Sequence, residues 1–205
     1  MTSSNLVHPG HHGTAERSKY GYQTQDHPGF DKVQNTISAV CAWIAGAAIL
    51  GLALVTLAEV IAREFFSSPL GWNISVTERY LLPITAFFGL VTTYRTGTHI
   101  AVESLFNKLP LRVQKTILLL IHLAVVISMV FVFIGGWNQT YMVFTLHHAT
   151  LPGMADLATP DWTYRVIVPI AAALCAFVAA LDFLRELITP WDHPYTDYEP
   201  GEEEV

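Results

Sequence analysis

Between Ser38 and Ala58 the chain carries no Asp, Glu, Lys, Arg or His. As a helix, that stretch is long enough to cross the ~30 Å hydrocarbon layer of a bilayer. Three more such stretches follow. The second is about 76–94, with Glu78 and Arg79 near its start. The third belongs to a run from Thr116 to Leu146 without acids, Lys or Arg, of which about 116–140 is assigned as the span. The whole run exceeds one crossing, so it protrudes into the interface or tilts. The fourth, about 164–184, contains VIVPIAAALCAFVAAL. Only 14% of the residues are charged and 52% are hydrophobic, whereas soluble domains carry about a quarter charged residues. The fold class expected is all-α: an integral membrane four-helix bundle.

Three regions are expected. Residues 1–32 form a flexible polar N-terminal segment, 33–190 a four-span membrane domain, and 191–205 an acidic C-terminal tail. The first apolar run starts too late and is too long for a signal peptide, so it reads as a retained span. The net charge of −6 is localised: Asp192, Asp197, Glu199, Glu202, Glu203 and Glu204 lie in the tail, and the remaining acids and bases cancel. Nothing resembles a basic nucleic-acid surface. Cys41 and Cys175 fall within apolar runs without CxxC spacing and read as packing residues.

Lys and Arg placement predicts the orientation. Arg17, Lys19, Lys32, Arg95, Lys108, Arg112, Lys115 and Arg185 fall on one side, against Arg63, Arg79 and Arg165 on the other. The positive-inside rule then puts both termini and the second connection in the cytoplasm.

Ionisable groups within spans are candidates for function because lipid solvates them poorly. Glu59 and Arg63, one turn apart, are expected as an interfacial ion pair. Glu78 and Arg79 are adjacent and must point in different directions. Glu78 is the stronger candidate for contact with another subunit or with Arg63. His122 reads as hydrogen-bonded packing. A haem between two histidines needs a partner at matching depth, which His99, His147 and His148 do not supply. His8, His11 and His12 lack ligand-spaced neighbours. Ala42 with Gly46, Ala47 with Gly51, Gly135-Gly136 and Ala171 to Ala173 suit close helix approach. Pro83 and Pro169 are expected to kink spans two and four. No Walker A, GxSxG, HExxH, CxxC or nucleotide motif occurs, so no enzyme and no cofactor are expected. Four plain helices without repeated, broken halves look like a component rather than a complete transporter.

After span two the chain reads YRTGTHIAVESLFNKLP. Arg95 suits the negative end of a helix and Gly97 its termination, while His99 caps or anchors the turn. Val102, Leu105, Phe106 and Leu109 form an i, i+3, i+4, i+7 stripe, predicting a short amphipathic helix on the cytoplasmic membrane surface. Pro110 ends it.

These residues, with SVTERYL, FFGLVTTYRTGTHIAVE, LFNKLP and PDWTYRVIVPIAAAL, resemble the small membrane subunit of TRAP (tripartite ATP-independent periplasmic) transporters over roughly residues 33–190. Val76 and Thr77 stand where that family often has a tryptophan and a second acid. The resemblance implies a multi-pass protein of the bacterial inner membrane. Its partners would be a large multi-span permease subunit and, through the complex, a periplasmic binding protein that delivers an organic acid. It implies a scaffold role, with substrate and sodium, the coupling ion, held by the large subunit. Candidate contacts with that subunit or the membrane interface are then Glu59, Arg63, Glu78, Arg79, Arg95, Gly97, His99, Leu105 and Phe106. Two alternatives are a haem- or quinone-bearing redox anchor, suggested by His122, and a stand-alone small transporter or channel.

Overall fold

The computed structural model describes residues 16–23, 28–96, 110–146 and 159–188. Strands β1 (Glu16–Ser18) and β2 (Gly21–Gln23) pair antiparallel, with Ser18 opposite Gly21. Helices follow: α1 (Pro28–Phe66), α2 (Asn73–Val76), α3 (Leu82–Thr96), α4 (Leu111–Leu146), α5 (Trp162–Arg165) and α6 (Ile167–Ile188). A π-helical turn, Thr77–Leu81, joins α2 to α3. Four helical segments are long and apolar enough to cross a membrane: Pro28–Phe66, Asn73–Thr96, Lys115–Leu146 and Trp162–Ile188. The chain is thus an all-α four-helix membrane bundle, preceded by a short β-hairpin. The amphipathic helix expected between spans two and three lies outside the described residues.

Each boundary has a local cause. Pro28 opens α1, where its missing N–H costs nothing. This start is ten residues ahead of the apolar run, so the segment expected to be flexible through residue 32 is helical from Pro28 and paired as a hairpin over 16–23. At about 58 Å by helical rise, α1 outlasts the hydrocarbon layer. It ends where Ser67 turns left-handed (φ 50°) and the Ser68 N–H reaches back to the Ala62 carbonyl at 3.5 Å.

Pro83 clashes with a regular helical ladder one turn behind it. The π-helical turn falls in that preceding turn, with the Leu82 N–H bonded to the Thr77 carbonyl five residues back. Near Pro169 the helix breaks at Val166, which leaves the proline in the first turn of α6, where a missing donor is tolerated. The expected kinks are therefore a widened turn and a break.

Hydroxyls in the long helices bond their own backbone: Thr56 to Leu52 O (2.8 Å), Ser128 to Ala124 O (2.8 Å) and Thr140 to Gly136 O (2.8 Å). That satisfies them where water is scarce.

Contacts group the chain into two compact units. One is drawn from residues 1–39, 91–128 and 175–205, the other from 40–90 and 129–174. The second unit has an apolar core of mostly small residues, Cys41, Ala45, Ala48, Ala171 and Ala172, joined by Phe88 and Val143. Gly51 and Gly136 allow close approach there: a Cβ on Gly51 would lie 3.2 Å from Leu81, and one on Gly136 3.0 Å from Pro169. Gly46 and Gly135 meet nothing within 4 Å. The first unit buries Val91, Cys175, Val178 and Ala179, but also Asp31, Gln34, Ser38, Arg95, Lys115, Asp182, Arg185 and Glu186.

Candidate functional site

In the first unit, helical phase brings charges inward. The buried face of α1 runs Asp31, Gln34, Ser38, Cys41, Ala45, Ala48 at alternating steps of three and four residues. The buried face of α6 carries Ala171, Ala172, Cys175, Val178 and Ala179 into Asp182, Arg185 and Glu186 in the same phase. Arg95 closes the last turn of α3.

These side chains meet. Asp31 Oδ1 accepts from Arg95 Nη2 at 2.7 Å and from Arg185 Nη1 at 3.1 Å. Arg95 also donates through Nε to Asn35 Oδ1 (3.0 Å) and through Nη1 to Asp182 Oδ1 (3.4 Å). Gln34 Nε2 donates to the same Asp182 oxygen (2.8 Å) and to the Val178 carbonyl (3.0 Å). Gly21 of the hairpin packs against this network; a Cβ there would collide with the Asn35 side chain and lie 3.2 Å from Arg95 Cγ. Its φ of +154° also disfavours other residues.

Lys115 and Glu186 are buried in the same unit. The set holds three acids (Asp31, Asp182, Glu186) and three bases (Arg95, Lys115, Arg185). Such a set ties helices together without net charge. Asp31 and Asp182 accept from guanidinium groups, which makes them poor cation ligands. Among the described residues no group of three or more His, Cys, Asp or Glu could hold a metal.

Beside it, His122 Nδ1 and the Tyr94 hydroxyl are 2.8 Å apart, with the rings edge to face at 6.4 Å. His122 is thus hydrogen-bonded packing on at least one ring nitrogen.

The second unit holds the other sequence candidates. Glu59 accepts from Arg63 Nη2 (2.9 Å) through one oxygen and from the Leu70 N–H (2.8 Å) through the other. The expected pair forms, and Glu59 also pins the loop after α1. Arg79 lies 3.8 Å from Asp161 and 5.3 Å over the Tyr164 ring. Tyr80 bonds Thr159 (3.0 Å) and Thr163 (2.6 Å). Arg165 donates to Gln139 at 2.7 Å and lies 5.5 Å from the centroid of the same Tyr164 ring. Glu78 is exposed and makes no hydrogen bond or ion pair with any described residue, so the contact with Arg63 does not form.

Arg95 is fully buried within the chain, so it is not a surface contact. Gly97, His99, Leu105 and Phe106 lie outside the described residues. Asp31, Asp182 and Glu186 were not among the sequence candidates. The signal that finds them is their phase: each continues the small-residue face of its helix.

A multi-pass membrane protein with an internally neutralised charge set defines the class, a helical membrane component. Residues 52–189 match the family described as tripartite ATP-independent periplasmic transporters, DctQ component. The chain belongs to that family. It is also 22% identical over 135 residues to the sialic acid TRAP transporter permease protein SiaT of Haemophilus influenzae (strain 86-028NP). That alignment covers 66% of this chain and 21% of the relative, so the chain spans about a fifth of the length of the relative it matches. No solved structure matches the chain.

Proposed function

We propose that this chain is the small subunit of a TRAP-type secondary transporter of the bacterial inner membrane. It scaffolds a large permease subunit during ion-gradient-driven uptake of an organic acid, which a periplasmic binding protein delivers. One observation carries the scaffold reading beyond family membership. The most apolar stretch of α4 has no buried residue, while the buried charges of the first unit are balanced among themselves. The chain therefore offers apolar helix surface outward rather than a polar path inward. The unmatched four fifths of the SiaT permease are consistent with a larger component working beside the matched one. The Lys and Arg distribution favours both termini in the cytoplasm.

The test is co-expression with the large permease encoded beside its gene. The large subunit is expected to co-purify with the tagged chain, and deletion of the chain to abolish uptake of the binding protein's ligand. Uptake that survives deletion, or the absence of a complex, removes the scaffold reading.

A further inference from the structure

Glu78 is the feature that the chain's own packing leaves unexplained. Its neighbours are committed: Arg79 to Asp161 and Tyr164, Tyr80 to Thr159 and Thr163. The nearest candidate cation in sequence on α1, Arg63, is held by Glu59. Glu78 instead lies on an exposed stripe with Ile74, Leu82 and Ala86. Ile74 is 61% exposed and Leu82 49%, so the carboxylate has apolar residues one turn to either side.

Depth makes this arrangement costly in lipid. The second membrane segment, Asn73–Thr96, has 24 residues, or about 36 Å by helical rise against ~30 Å of hydrocarbon. A centred segment places the Glu78 backbone roughly 4 Å inside the hydrocarbon boundary. Glutamate has a shorter stem than Lys or Arg for snorkelling back to water. The π-helical turn fixes the direction, sending Arg79 and Tyr80 toward their partners around α5 while Glu78 stays outward.

We infer that the Ile74–Glu78–Leu82–Ala86 stripe docks against a membrane helix of the large permease subunit that presents a Lys or Arg at the same depth. This rests on the function proposed above. An acid that bonds none of the described residues, set in an apolar stripe, is complementary to a single cation on an otherwise apolar helix. Desolvation by that helix makes the pair specific in register.

The test uses the co-expressed complex and three forms of the tagged small subunit: wild type, Glu78→Gln and Glu78→Lys. Retention of the large subunit is expected to fall about tenfold for Glu78→Gln, and further for Glu78→Lys. The thermal midpoint of the isolated small subunit is expected to stay unchanged, because Glu78 makes no hydrogen bond or ion pair with any described residue. A photo-crosslinker at position 78 is expected to form an adduct with the large subunit. Undiminished retention overturns the inference, as does an adduct with lipid alone. A lowered midpoint of the isolated chain overturns it too, by assigning Glu78 to the chain's own fold. If the wild-type chain retains no large subunit, the proposed function fails and takes this inference with it. If wild type and both variants retain it equally, only this inference fails.

Discussion

One oxygen of Asp31 receives two guanidinium groups, and that geometry sets the consequences of changing it. Removing one partner of a buried ion pair costs about 3–5 kcal/mol, because a desolvated charge is left uncompensated. Asp31→Asn is therefore expected to lower the thermal midpoint of the detergent-solubilised chain sharply. Adding Arg95→Gln restores the balance of charge, so the double variant should lose less than the two singles together, with coupling of about 1–3 kcal/mol. Additive losses would show that the two residues act independently. A smaller effect belongs to Tyr94. Tyr94→Phe removes the His122 bond at a cost of about 1 kcal/mol, read in the same melt. These charges were hard to find in the sequence for a physical reason. Arg95 and Arg185 look like water-facing cations at span ends, and only the helical phase of Asp31 and Asp182 reveals that they face inward.

At the scale of elements, the four spans were legible because lipid demands uncharged apolar runs, and those are visible without any partner information. Their ends were less legible. α1 begins at Pro28, ahead of the buried Asp31 and Gln34, and α4 begins at Leu111, a turn before the buried Lys115. Glycine roles were also only half visible. Gly135 and Gly136 are equivalent as sequence, yet Gly136 alone abuts Pro169, whose ring has little freedom to yield. Gly136→Ala is expected to destabilise by about 1–3 kcal/mol through overpacking. Gly135→Ala, which meets open space, is expected to be neutral or to stabilise by up to about 1 kcal/mol through helix propensity. Thermal melts of the two variants side by side check this; equal effects would remove the close α4–α6 approach as the cause.

For the whole molecule, the family match begins at residue 52, whereas the buried charge set reaches back to Asp31 and the hairpin to Glu16. The matched segment contains Arg95, Lys115, Asp182, Arg185 and Glu186, which on their own carry one more base than acid. Asp31 restores neutrality, so the working membrane domain must include the first turns of α1. Two truncations separate these contributions. A chain starting with Met before Pro28 keeps Asp31, Gln34 and Asn35 and loses the hairpin with its flanking residues; it is expected to insert and accumulate with a modestly lowered midpoint. A chain starting before Val40 keeps most of the apolar run but removes the carboxylate that Arg95 and Arg185 share, leaving one excess positive charge in a poorly solvating interior. It is expected to be degraded or to aggregate, although it still holds four apolar segments and the whole matched region. Adding Arg95→Gln to that second truncation removes the excess charge and is expected to recover part of the accumulation, measured by immunoblot of the membrane fraction. Full accumulation of the unmodified second truncation would mean that insertion of four apolar helices suffices, and that the charge network follows from the fold without supporting it.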